Sequence, residues 1–595
     1  MKTYKSREEV PAHEKWNLED IFATQTEWEE AYNSVNDQIG NLRAFNGEIH
    51  DAKSLYHYLV LNEEVGYLFK KVYVYAMLHV DIDTRKSTAQ ALLDRGKQLS
   101  VKLSSAKSFF MPFLLSLEEE TLKNYIAEVS GLKYFEEDLF EAFRYKKHVL
   151  RKEQEEVLSQ LGDALSTPSQ TFGMINNADI KFGEVTNEAG EKVELTRGMY
   201  TKLIEDQNRD TRKEAYIAYY KPYVQLQNTI ATTLAAAIKN NVTISKMRQY
   251  PSALEKSLFD DLVPKEVYDN LIQTTKAHLE PMRRYAELRK QILGLDELRA
   301  YDLNVPLVKD VKDEISFDEA YETMLTSLKP LGSDYVETLR SFKDKRYFDV
   351  RETPGKRSGA YNLGLYGVHP FILLNHRDDL DSLFTLVHES GHAMHSWYSS
   401  KHQPQISAGY SIFVAEVAST VNEILLIRHL LKMTEDPQMK KHLINHFIDG
   451  FKGTFFTQVM FAEFEQMTHE KAENGEPLNA TVFSDIYEKI FTKYHGEELV
   501  LDNEVKYGWS RIPHFYRPFY VYKYATGYAS AIYLADRILA GDQNTLKNYL
   551  QFLKSGSSDY PFELLKSTGV DLTKPEFIEN ALAIFAELVD EFDKM

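Results

Sequence analysis

A mainly α fold with a small β-sheet beside its functional centre is what this sequence predicts, and three observations predict it. Apolar residues return at helical spacing over two long stretches, about 27–165 and 203–342, with charged residues between them. Strand-like runs punctuated by glycine are confined to two short patches. The chain has 595 residues with 43% hydrophobic residues, enough for several domains or one large helical body around a cavity.

The first helical stretch is carried by residues such as Leu55, Leu59, Leu68 and Val72, which fall on one face. Around Ile180–Leu195 the period changes. Ile180 to Val185, a turn at Asn187-Glu188-Ala189-Gly190, and Lys192 to Leu195 read as a hairpin. This hairpin suggests a division into residues 1–195 and 196–595. Helical spacing resumes from Leu203, punctuated by Pro251, Pro264, Pro281 and Pro330. A second irregular patch spans Tyr347 to His376, where Gly355, Gly359, Gly364 and Gly367 interrupt runs such as Phe371-Ile372-Leu373-Leu374. Simple turns are one reading of these glycines. A sheet edge that accepts a peptide strand is the other.

Composition excludes several function classes. Seventy Lys+Arg against 89 Asp+Glu give a net charge of -19, and with no basic cluster the chain is a poor partner for nucleic acid or anionic lipid. There is no cysteine, so thiol nucleophiles and thiolate-bound metals are out, and any metal rests on His, Asp and Glu. A reducing cytoplasm fits. Met1-Lys2-Thr3-Tyr4-Lys5 leads into charged residues, and no run approaches about 18 apolar residues, so a soluble, unexported protein is expected. An oddity is 37 Tyr and 33 Phe against 4 Trp.

Chemistry concentrates after the second patch. Acidic residues Asp378, Asp379 and Asp381 suit a helix N-terminus, and Leu383, Phe384, Val387, Met394 and Trp397 supply its apolar face. His388 and His392 are four apart, so on a helix both imidazoles point the same way and can share one tetrahedral ion. Glu389, next to the first, is placed to act on a water at the metal as general base. A random chain of this composition holds such a pattern with odds on the order of one in twenty, so the context has to carry the argument. Three protein ligands are the usual number for a catalytic zinc. His395, His402, Glu416 and Glu423 are the candidates for the third. Glu416 is preferred, because it follows a Ser411 cap on a helical stretch whose Ala415, Ala418 and Ser419 allow a close approach. Glu423 lies on the same face and suits a hydrogen bond to a ligand imidazole, with a solvated glutamate as the plain alternative. A metzincin would have Gly at 395 and His at 398, where this chain has His395 and Tyr398.

Farther on, Pro518 suits the first turn of a helix, from which Tyr520, Tyr524 and Tyr528 would line one face. An aromatic core face is the ordinary explanation of such a row.

His388-Glu389-Ser390-Gly391-His392, Glu416-Val417-Ala418-Ser419-Thr420-Val421-Asn422-Glu423, Ser358-Gly359-Ala360-Tyr361 and Trp16-Asn17-Leu18-Glu19-Asp20-Ile21 together resemble the thimet-oligopeptidase-like metallopeptidases, most closely the oligoendopeptidase F family, over nearly the whole chain. The resemblance implies a mostly helical, bowl-shaped enzyme with an N-terminal helical domain, one Zn2+ per chain, and cleavage inside short unstructured peptides. It also implies that Gly359, Ala360 and Tyr361 align the substrate main chain. His514 is implied as a donor to the tetrahedral intermediate together with tyrosines, for which Tyr520 and Tyr524 are the choices, their spacing from His514 differing from that of thimet oligopeptidase. A carboxypeptidase or dipeptidase on the same body, or a non-catalytic helical peptide-binding protein, are the rival readings.

Overall fold

The computed structural model describes residues 4–187, 189–308 and 314–595 and is about 71% helical with about 3% strand, as the sequence predicts. The chain forms two compact units, each drawn from three segments. The first comprises Met1–Lys147, Asp313–Leu426 and Leu534–Gly569, and the second His148–Lys312, Ile427–Tyr533 and Val570–Met595. This partition by contacts differs from the linear division at 195, because each unit is completed by segments distant in sequence. Among the described residues no helix is long and apolar enough to cross a membrane.

In the first unit the helices Gln25–Ala44, Ala52–Ile82 and Ser87–Lys107 pack on one another. Asp51 starts the second of them through a capping box with Ser54, which satisfies amides that the first turn leaves unpaired. Leu55, Leu59 and Val72 are buried on the expected face, Leu68 partly so, and Trp28 Nε1 donates to the Val72 carbonyl at 2.8 Å. The same core continues into a three-stranded sheet through Phe371 and Leu373. Trp16 packs edge-on against Phe371 at 6.1 Å, and Asp20 lies 3.0 Å from His369 Nε2, which ties the N-terminal motif to that sheet.

The sheet is small. Pro370–Leu373 is its buried centre, Phe348–Asp349 runs parallel on one side, and Tyr361–Gly364 runs antiparallel on the other, pairing Tyr361 with Leu373 and Gly364 with Pro370. Tyr361–Gly364 is therefore an edge strand, with no further strand beside it among the described residues. Gly364 lies on the helix Leu380–His402 so closely that a Cβ there would stand 2.7 Å from Ser396 Cβ. Only glycine fits this approach.

The second unit holds the hairpin, Glu184–Thr186 against Lys192–Glu194, with Glu188 of its turn outside the described residues. Helices such as Arg209–Gln225, Gln227–Met247, Thr457–Glu473 and Ala480–His495 make up its body, with a π-helical turn at Phe451–Phe456. The helix expected to start at Pro518 starts instead at Tyr522 and runs to Leu539. Phe519 is the physical reason: its φ of +53° is left-handed, which a right-handed helix cannot contain. Glu465 Oε1 accepts from its amide at 2.9 Å and fixes that turn.

Buried His469, on the helix Thr457–Glu473, shows how this core depends on pH. Its Nδ1 faces the Glu465 carbonyl at 2.8 Å, and burial lowers it to about 4, against an ordinary value near 6.5 in the unfolded chain. The folded state thus binds fewer protons. Its contribution to stability is complete above pH about 6.5 and is lost as pH falls from there towards 4. His469→Gln removes this linkage. The unfolding free energy of wild type relative to the variant should fall by about 2 kcal/mol between pH 7.5 and pH 5, measured by urea unfolding of both.

Candidate metal centre

Two helices build the site from residues of the first unit. Leu380–His402 begins at Asp379, whose carboxylate accepts from the Ser382 amide at 2.8 Å, and it presents His388 and His392 from successive turns, ring centroids 4.8 Å apart. Ile412–Met433 begins after Ser411, whose Oγ accepts from the Phe413 amide at 3.2 Å, and it presents Glu416. Glu416 Oε2 stands 3.5 Å from His388 Nε2 and 3.7 Å from His392 Nε2, and one donor atom from each of the three residues lies within 4.8 Å of the others. Ligands about 2.1 Å from a tetrahedral ion are separated by about 3.4 Å, so two of these separations are already close to those of a coordination shell.

The other candidates for third ligand fall elsewhere. His395 is buried, stacked on Tyr410 at 3.8 Å, and His402 Nδ1 faces the Tyr398 carbonyl at 2.8 Å. Glu423 bonds His388 Nδ1 through its carboxylate, the indirect role that the face pattern suggests. On the second imidazole the equivalent partner is a backbone group at Ala415, which residue types alone do not reveal.

Gly391 decides how near the two helices come. A Cβ at this position would stand 2.5 Å from Ser419 Cα and 2.7 Å from the Ala418 carbonyl oxygen. Both are backbone atoms, so no side-chain rotation makes room. The small residues at 415, 418 and 419 point to a close approach. The glycine on the facing helix is its other half.

Three carboxylates, Glu389, Glu416 and Glu423, surround two imidazoles. Burial disfavours charge on His388, but Glu423 first, then Glu389 and Glu416, outweigh it and hold this imidazole up at about 9. His392 is driven down to about 3 by burial and by the positive charge on His388. Burial chiefly, together with Glu416 and Glu423, raises Glu389 to about 7, opposed by His388 and by a hydrogen bond with the Asn362 backbone. The surplus of negative charge fits a divalent cation, which would displace the His388 proton. The donor set of two imidazoles and one carboxylate suits zinc among the common ions.

Asn362 belongs to the edge strand, so its bond to Glu389 sets that strand beside the acid. Its side chain donates from Nδ2 to Ser396 Oγ at 3.1 Å. Just before the strand, Gly359 has φ +82° and its carbonyl accepts from Asn375 Nδ2 at 2.7 Å. Ala360 follows, and the Tyr361 phenol donates to Asp81 Oδ2 at 2.6 Å, so this hydroxyl is occupied in holding the strand.

His514, Tyr520 and Tyr524 lie together in the second unit. Tyr524 Oη is 3.4 Å from Tyr520 Oη, and the His514 ring is 6.3 Å from that of Tyr520 and 6.4 Å from that of Tyr524. His514 is exposed and the two tyrosines are half-buried. Partial desolvation of the His514 ring, and then Arg517, lower its pKa. Tyr528 is different: it is buried against Phe451, an ordinary core position.

Gly391→Ala tests the close approach. It should destabilise the protein by about 1 to 3 kcal/mol and lower bound metal per chain, because the helices must part. Gly40→Ala is the control: the same change inside the helix Gln25–Ala44, with no atom within 4 Å of the new Cβ, should be neutral or stabilising. Melting temperature and metal stoichiometry of the two variants check the contrast.

Comparison with known proteins agrees over the full length. The family model described as Peptidase family M3 matches residues 202–584, and that described as Oligopeptidase F matches 114–182. The chain is similar to Oligopeptidase PepF of Bacillus subtilis, 42% identical over 590 residues and covering 99% of this chain and 88% of that protein. It is also similar to Group B oligopeptidase PepB of Streptococcus agalactiae, 37% identical with 99% and 98% coverage. Among solved structures, oligoendopeptidase-F of Enterococcus faecium matches with a TM-score of 0.76 at 35% identity, covering 96% of this chain and 99% of that one. A structure from Chlamydophila abortus matches with a TM-score of 0.92 at 32% identity, covering 99% of both. The chain therefore belongs to peptidase family M3, as a metalloendopeptidase of the oligoendopeptidase F group.

Proposed function

We propose that this protein is a zinc-dependent oligoendopeptidase that hydrolyses internal bonds of short unstructured peptides, with Glu389 as the general base. The observation that carries this reading is the juxtaposition of three things: the His388, His392 and Glu416 group, the buried Glu389 beside it, and a strand edge bonded to that same glutamate. His388, His392 and Glu416 would hold the ion, with Glu423 orienting His388. When bound, zinc supplies Lewis acidity, making water easier to deprotonate near neutral pH and polarising a carbonyl.

The chain's own residues do the rest. The edge around Gly359, Ala360 and Tyr361 aligns an extended peptide by main-chain hydrogen bonds, which is tolerant of side-chain sequence. Glu389 accepts the proton of the attacking water on its carboxylate and delivers it to the leaving amine. Burial and the neighbouring carboxylates raise the proton affinity of Glu389, which favours its taking that proton. His514, with Tyr520 or Tyr524, donates to the oxyanion, where a preorganised donor is worth about 3 to 4 kcal/mol. These roles fall in residues 196–595, with 1–195 as the N-terminal helical part. The absence of cysteine supports a cytoplasmic setting.

Glu389→Gln should retain metal and lose at least about a hundredfold in turnover, because the amide cannot take the proton. Undiminished cleavage by this variant would end the assignment. Chelation should abolish activity and zinc should restore it. Glu416→Ala should empty the site, whereas Glu423→Ala should weaken zinc binding by roughly 10- to 100-fold, read by metal analysis and zinc titration. A peptide blocked at both termini should still be cut, which an exopeptidase would leave intact.

A further inference from the structure

A cavity of about 370 Å³ lies within the second unit, walled in part by Tyr200, Tyr216, Tyr220, Tyr487, Lys452 and Arg511. Most of its ionisable groups are already accounted for. Lys452 pairs with Asp449 at 2.9 Å and donates to the Leu303 carbonyl. His495 is half-buried, held down at about 4 by desolvation, with Nδ1 3.0 Å from the Phe491 carbonyl. Glu205, the other carboxylate of the wall, is exposed.

Arg511 stands apart. It donates from Nε to Tyr220 Oη at 2.9 Å and lies over the same ring, and among the described residues it makes no other hydrogen bond and no ion pair. Its terminal nitrogens, four of the five N–H donors of a guanidinium, are left for whatever enters the cavity. A cation set among phenols, where the local dielectric is below that of water, attracts an anion more strongly than an exposed one does. The planar fork fits a carboxylate by two parallel bonds. Arg511 also ends the 3₁₀ turn Val505–Arg511, three residues before His514. From the reach of three residues and two side chains, a group on Arg511 stands at most about 20 Å from the His514 ring, about six extended residues.

We propose that Arg511 binds a carboxylate of the peptide substrate, as an anchor within reach of His514 in the same unit. The inference rests on the peptidase reading above. Two sources of this chemistry are available, the free C-terminus or an Asp or Glu side chain.

The test uses four peptides of one length: a free acid without acidic side chains, its C-terminal amide, the amide with one glutamate, and the amide with glutamine in its place. Wild type should show a KM about tenfold lower for one carboxylate-bearing peptide than for its neutral partner. The pair that shows the difference names the source. Arg511→Gln should erase that difference with kcat changed less than about twofold, and Tyr220→Phe, which removes only the bond at Nε, should reduce it severalfold. Equal losses on charged and neutral peptides, or no discrimination by wild type, would overturn the proposal. Should Arg511→Gln fail to fold, the wild-type and Tyr220→Phe comparison decides alone. If wild type cuts none of the four, it is the peptidase reading that fails.

Discussion

The backbone contact between Gly391 and Ala418–Ser419 is the constraint on which the centre depends. Glutamate is a short ligand. For Glu416 to come within 3.5 and 3.7 Å of two imidazoles on another helix, the helices must approach until one backbone touches the other. The contacts also fix direction. Gly391 meets Ser419, His388 meets Glu423 ahead of it, and His392 meets Ala415 behind it, so the two helices pass antiparallel with one register. Every polar partner of the two histidines follows from that register. Four residues separate the histidines and eight separate Glu423 from Ala415, so the facing helix supplies their partners from positions about two turns apart.

Electrostatics make the same arrangement selective for a cation. With three carboxylates near two imidazoles, a neutral site would leave uncompensated negative charge in a half-buried place, which is costly. The charged His388 and the elevated Glu389 are the responses of the protein alone. A divalent ion answers the same imbalance with two charges at one point. With such an ion bound, Glu423 would keep the His388 tautomer fixed, and Glu389 would lose part of the carboxylate repulsion that adds to the effect of its burial.

Much of this was legible in the sequence, and the boundary has physical reasons. The histidines and Glu389 are written by helical spacing, which is local. Glu416 was accessible because a helix of small residues announces close packing. The strands between Tyr347 and His376 appeared as glycine-broken apolar runs, and they are observed there. By contrast the Asn362–Glu389 bond uses a backbone amide, and backbone groups leave no mark in residue identity. The late start of the helix at Tyr522 was not legible either. Pro518 is a sound helix-start signal, but Phe519 is held in a left-handed conformation with Glu465, 54 residues earlier, bonded to its amide, and a distant partner overrides a local preference. Likewise the compact units join segments far apart in sequence, which local composition cannot register.

The excess of tyrosine has a related explanation. Many of these side chains are fully buried, and Tyr223, Tyr268, Tyr285, Tyr321 and Tyr335 bury a ring while sending the hydroxyl to a partner. Tyr268 donates to the Ala462 carbonyl, Tyr321 to that of Leu339, and Tyr335 to Asn422 on the helix that carries Glu416. A long helix in a large helical body exposes side-chain amides and terminal carbonyls to neighbours that are mostly apolar. Phenylalanine would leave those groups unsatisfied, and a charged residue would add a desolvation cost of its own. At these positions tyrosine resolves both, and packing accounts for them. Tyr220 differs in that its hydroxyl accepts from a guanidinium whose remaining donors no side chain among the described residues occupies.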